Sequence, residues 1–135
     1  MAEERYRDEF GVITHDPEQG TLELRWFDAS ARMTDDDFMR SMARYAALAQ
    51  EHRTPNMLVD VRNFRHVPGK GTGQWRDEHI IPRYNAAGVK RFAFLFPAGA
   101  SGTVESGSQP APEPPGSFPT AYFENREHIS DWFGD

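Results

Sequence analysis

The sequence predicts one α/β domain, a mixed sheet of about five strands with helices mainly on one face, and three observations predict it. Met57-Leu58-Val59, followed by Val61 and Phe64, is a short apolar run with one polar interruption, Asp60, as in a buried central strand. Segments with helical apolar spacing flank it on both sides, so strand, helix and strand alternate. The run Pro68-Gly69-Lys70-Gly71-Thr72-Gly73 stays neither extended nor helical and must turn the chain before the second helix. Helices joining successive strands imply right-handed crossovers, hence a parallel portion of the sheet.

The bulk numbers bound the rest. A chain of 135 residues suits one domain, expected over 10–135 behind a flexible leader at 1–9. The balance of 15 Lys+Arg against 21 Asp+Glu, a net charge of -6, argues against nucleic acid, whose phosphates need clustered positive charge. Three Trp and ten Phe supply a core despite a mean hydropathy of -0.72. With no cysteine, disulfides, thiolate catalysis and Cys-based zinc sites are excluded. The first residues lack the apolar stretch of a signal peptide, and no apolar run approaches the ~20 residues that cross a bilayer. A cytoplasmic protein without a membrane span is the expectation.

In chain order, an opening hairpin is expected from 10–14 and 21–27, where Leu22, Leu24 and Trp26 alternate with Glu23 and Arg25. Thr34 caps a helix whose first turn holds Asp35, Asp36 and Asp37, and Thr34 with Asp37 has capping-box spacing. Phe38, Met42, Tyr45 and Ala49 form its buried stripe, and Thr54-Pro55 ends it. After the central strand and the glycine-rich turn, Trp75, His79, Ile80, Tyr84 and Ala87 trace a second helix face. Pro82 predicts a kink or break in it, and Gly88 its end. Residues 91–96 are an apolar strand, 98–117 a long flexible loop of Ala, Gly, Ser, Pro and Glu, and 118–124 a last strand. Asn125 then caps a short helix that buries Ile129, Trp132 and Phe133.

Taken together, the Leu58-Val59-Asp60-Val61-Arg62 strand, the 91–96 strand and the ending Ala121-Tyr122-Phe123 through Trp132-Phe133 resemble the SpoIIAA-like fold of STAS domains, in particular the STAS/SEC14-like branch. The resemblance implies a non-enzymatic regulatory or protein-interaction module. It places a phosphorylation switch at the start of the helix after the central strand, where Thr72 is the only hydroxyl of the turn. Its SEC14-like side implies the alternative, a carrier of a small apolar or anionic, lipid-like ligand. The third option is an enzyme, for which Asp60, His66 and His79 are the residues to nominate.

The best functional candidate by residue type is the Gly69-Lys70-Gly71-Thr72-Gly73 turn. Free N–H groups at a helix start, with a lysine beside them, can hold an anion or meet a partner. It lacks P-loop spacing, and a plain capped connection is the simpler account. Asp60 either pairs with Arg62, Arg91 or a backbone N–H or serves a site at the strand end. His66 and His79 could flank one pocket, with Trp75 and Tyr84 lining an apolar groove beside the second helix; ordinary packing is the alternative. The five histidines include no ligand-like pair, so neither a metal nor a cofactor is expected. No serine sits in a nucleophile elbow, so no catalytic residue is assigned. Edge strands and an exposed tryptophan leave room for a homodimer.

Overall fold

The alternation Leu22, Leu24, Trp26 turns one side of β3 (Thr21–Trp26) into a core, and β2 (Gly11–Asp16) pairs with it antiparallel, Ile13 opposite Leu24. Asp16 accepts from the backbone N–H groups of Glu18 and Gln19 and so shapes the turn between them. The computed structural model describes residues 2–67, 69–97, 109–110 and 118–134.

The opening residues depart from expectation. Glu3–Arg7, read from sequence as part of a flexible leader, form β1, an edge strand antiparallel to β2. Apolar alternation is missing because only Tyr6 turns toward the core, beneath the Arg44 guanidinium at 5.3 Å. The exposed charges pair locally instead, Arg5 with Glu3 and Arg7 with Glu4.

After a 3-10 turn (Asp28–Arg32), α1 (Asp35–His52) begins with the expected capping box: Thr34 Oγ1 accepts from Asp37 N, and Asp37 accepts from Thr34 N. It closes on Arg53 in the left-handed region ahead of Thr54-Pro55. The central strand β4 (Asn56–Asp60) is buried at every position. The second helical segment is split into α2 (Thr72–His79) and α3 (Ile81–Ala87), with Pro82 in the first turn of α3 and Gly88 at its left-handed cap. Then come β5 (Arg91–Leu95), β6 (Gln109–Pro110), β7 (Thr120–Phe123) and α4 (Arg126–Gly134), whose first turn Asn125 caps through Glu127 N.

Among the described residues the sheet has seven strands, in the order β1-β2-β3-β4-β5-β7-β6. β3, β4, β5 and β7 run parallel; β1, β2 and β6 are antiparallel to their neighbours. The fold is thus the expected mixed α/β sheet, widened by two short edge strands. β6 is the only part of the expected 98–117 loop among the described residues; the rest of that stretch lies outside them. Helices α1 and α3 pack on one face, over Ile13, Leu22, Trp26, Met57, Val59 and Phe92. Helix α4 covers the other, over Leu58, Ala93, Leu95, Ala121 and Phe123. No helix among the described residues is long and apolar enough to cross a membrane.

Candidate functional site

The helical layer leaves a gap over the carboxyl ends of the central parallel strands, the position where ligands sit in open α/β sheets. Trp26 of β3, Val59 of β4 and Phe92 and Phe94 of β5 form its floor, and Val61 and Phe64 follow β4 at its end. Phe38 and Met42 of α1 wall one side, Ile81 and Tyr84 of α3 with Arg76 of α2 the other. The cavity, partly open to solvent, is about 220 Å³. Trp26, Phe38 and Phe64 pack ring against ring at 5.1 to 5.9 Å, so this end of the lining is aromatic and rigid.

Two polar features break that apolar lining. Arg76 is its single charged residue; its side chain is 43% exposed and its ion-pair partner is the adjacent Asp77, at 3.2 Å. Tyr84 is 1% exposed, yet its hydroxyl has no hydrogen-bond partner. Burial pushes that hydroxyl's pKa well above the ordinary tyrosine value, with the positive charges of Arg76 and Arg83 opposing the shift. Tyr45, edge-on to Tyr84 at 6.1 Å, is as deeply buried, but its hydroxyl reaches the carbonyls of Leu22 and Leu58 at 2.8 and 2.9 Å.

The chain that closes the cavity after β4 is tied down twice. Ser30 Oγ, fully buried, donates to Asn63 O and accepts from Arg65 N at 2.8 Å. Asp35 Oδ1, in the first turn of α1, lies 3.0 Å from both His66 Nε2 and Gly69 N. The His66 ring also stacks on Phe38 at 5.5 Å, behind the cavity wall. A Cβ at position 69 would run into the Asp35 carboxylate, so only glycine leaves this tie intact.

The residues singled out from sequence fall in three places. Gly69 donates its N–H to Asp35, so a carboxylate of the chain itself fills the place expected for a bound anion. Gly71, left-handed at φ 90°, is the N-cap of α2 in place of Thr72; Thr72 is buried, and Lys70 is exposed. His66 is held by Asp35, while His79 lies exposed beside Trp75 at 6.2 Å, and neither histidine nor Trp75 is among the residues lining this cavity. Asp60 faces the other side of the sheet, 2% exposed, accepting from Arg62 N, Nε and Nη2, with Arg126 of α4 at 3.4 Å. Arg126 also grips Glu23 at 2.7 and 3.0 Å, and these bonds raise the pKa of Arg126. Among the described residues no group of three side chains could hold a metal ion.

Arg76 and the aromatic wall were not singled out by sequence reasoning. The available signal was the four-residue recurrence Arg76, Ile80, Tyr84, a charge at the head of an apolar stripe. Comparison with protein-family models, with curated proteins and with solved structures finds no match to this chain.

Proposed function

We propose that the protein binds a small apolar molecule in the cavity between the split α2–α3 segment and the sheet, as a carrier or sensor without chemistry of its own. The single observation behind this reading is the cavity itself: about 220 Å³ within a lining of apolar and aromatic side chains, at the carboxyl ends of parallel strands. An apolar cavity of about 150 Å³ is enough to take benzene. The resemblance to STAS/SEC14-like domains agrees with a ligand carrier. The test is a toluene titration followed by amide NMR. Saturable shifts clustered on Val59, Phe64, Ile81, Tyr84 and Phe94 are expected; shifts scattered over the surface, or none, would sink the reading.

A second reading, the SpoIIAA/STAS-like interaction module, has one observation in its favour. Val67 is 84% exposed, the exposed large hydrophobic among the described residues, and it stands in the same surface segment as Lys70. A partner surface there would use Val67 and Lys70 more than Thr72, whose burial withholds its hydroxyl from a kinase. If V67S and K70A both leave partner capture unchanged, that surface is wrong.

A further inference from the structure

The cavity's two polar groups say what kind of apolar molecule it takes. Resting on the ligand-binding reading above, we infer that the ligand is a small aryl-alkyl carboxylate, with its ring among Trp26, Phe38, Phe64 and Phe94 and its carboxylate on Arg76 and the Tyr84 hydroxyl.

Size comes first. Benzene in a cavity of about 150 Å³ occupies roughly 25 Å³ per carbon. On that scale, a volume of about 220 Å³ holds roughly nine carbons: one ring and a short tail. A phospholipid or long-chain acid is too large. The floor and one wall are aromatic, and the rings are fixed by packing on one another at 5.1 to 5.9 Å, so a flat ring can stack there without reordering them.

Charge comes second. Arg76 alone among the lining residues is ionised, and its side chain reaches solvent, so it marks the mouth. Its tie to Asp77 is an exposed pair between adjacent residues, of a kind that contributes little and is easily exchanged. A guanidinium fits a carboxylate with two parallel N–H donors. The opposite charge would bury no partner, because no acid lines the cavity.

The third observation is independent of both. A fully buried hydroxyl without a partner is costly, and native proteins rarely leave one. Tyr45, its neighbour, shows that this core satisfies a tyrosine where it can. Tyr84 is a lining residue, and its hydroxyl, covered by its neighbours in the unliganded protein, is a donor without a partner that lies close enough to Arg76 to feel its charge. A ligand carboxylate between the two would satisfy the hydroxyl and neutralise the guanidinium together.

The test compares three molecules of one shape, 3-phenylpropanoate, 3-phenylpropan-1-ol and 3-phenylpropylamine, by calorimetry against the full chain. The acid is expected to bind about tenfold tighter than the alcohol, and the amine weakest. In R76Q that preference collapses while the alcohol binds as before. In R83Q it persists, because Arg83 is turned to Gln50 and the Ala43 carbonyl. Y84F weakens the acid several-fold and leaves the unliganded protein as stable or more so, which a purely structural hydroxyl would not do. Equal binding of acid and alcohol to the native protein would overturn the carboxylate while leaving an apolar pocket. Failure of all three to bind would overturn the pocket as well.

Discussion

The two faces of the sheet treat buried polarity in opposite ways. Beneath α4, Asp60 and Glu23 are met by Arg62 and Arg126 in a closed chain of hydrogen bonds, every carboxylate with its cation. Beneath α1 to α3, strand alternation places His15, Tyr84's cavity and Thr120, and there His15 Nδ1, Tyr84 Oη and Thr120 Oγ1 are buried without partners. The face with the buried carboxylate is the finished one. Strong charges in a small domain draw the eye as catalytic candidates, yet Asp60 is a lock between β4 and α4. The apolar cavity on the other face has a single charged residue in its lining, Arg76.

The largest effect should come from breaking the finished face. In R62Q/R126Q, Asp60, whose side chain is 3% exposed, keeps only a backbone N–H donor. Stripping cations from a carboxylate that buried should cost about 3–5 kcal/mol, read as a lower urea midpoint. Adding D60N should recover most of the loss, since the charge is the problem. A loss that D60N leaves untouched would show the arginines act by packing alone.

Next in size is the tyrosine pair, which sets the two kinds of burial side by side. Tyr45→Phe leaves the Leu22 and Leu58 carbonyls short of a donor and should cost about 1–3 kcal/mol. Tyr84→Phe removes a hydroxyl that has no partner and should be neutral or stabilising without ligand. Equal losses for both would mean the Tyr84 hydroxyl is satisfied in solution, and the contrast would vanish. Gly69→Ala follows, expected at about 1–2 kcal/mol through the displaced Asp35 carboxylate and its lost bonds to Gly69 N and His66. Serine at position 35 in the G69A background should recover part of that loss if the clash is the cause.

How much of this was legible beforehand follows from range. Thr34 and Asp37 are three residues apart, Pro82 acts on its own helix turn, and Asn125 on the next residues, so local chemistry dictated those features and sequence showed them. The apolar run of β4 and its flanking helices likewise carried the parallel order. β1 was hidden because an edge strand needs backbone pairing and only Tyr6 turned inward. The site was hidden for a different reason. Its residues run from Trp26 to Phe94; Tyr84 was legible as facing a groove beside the second helix, but the other apolar ones read as ordinary core and Arg76 as a surface charge, and only their packing leaves a space among them. Asp35 was legible as a capping-turn acid but not as the anchor of Gly69, 34 positions away. Conversely, the glycine-rich turn looked like an anion cradle because the carboxylate that fills it is distant in sequence.

The smallest expected effect tests whether the unfinished face also carries a pH dependence away from the cavity. His15 stacks on His52 at 4.2 Å, is 8% exposed, and its Nδ1 has no partner. Burial lowers its pKa first, then the charges of His52 and Arg5, against the opposing pull of Asp16 and Glu3. The folded protein therefore holds fewer protons at this site than the unfolded chain, whose histidine titrates near ~6.5. This contribution to stability is full above about pH 6.5 and is lost as the pH falls toward the lower folded value. Asp37, held below the ordinary carboxylate value by its hydrogen bonds to Thr34, responds only in a more acidic range and does not confuse the window. Urea unfolding at close pH intervals from neutrality downward should show the native protein weakening below about pH 6.5, and H15Q weakening less steeply over the same interval. Parallel curves for the two proteins would place the sensitivity elsewhere, and the stacked imidazoles would then be packing that tolerates a proton.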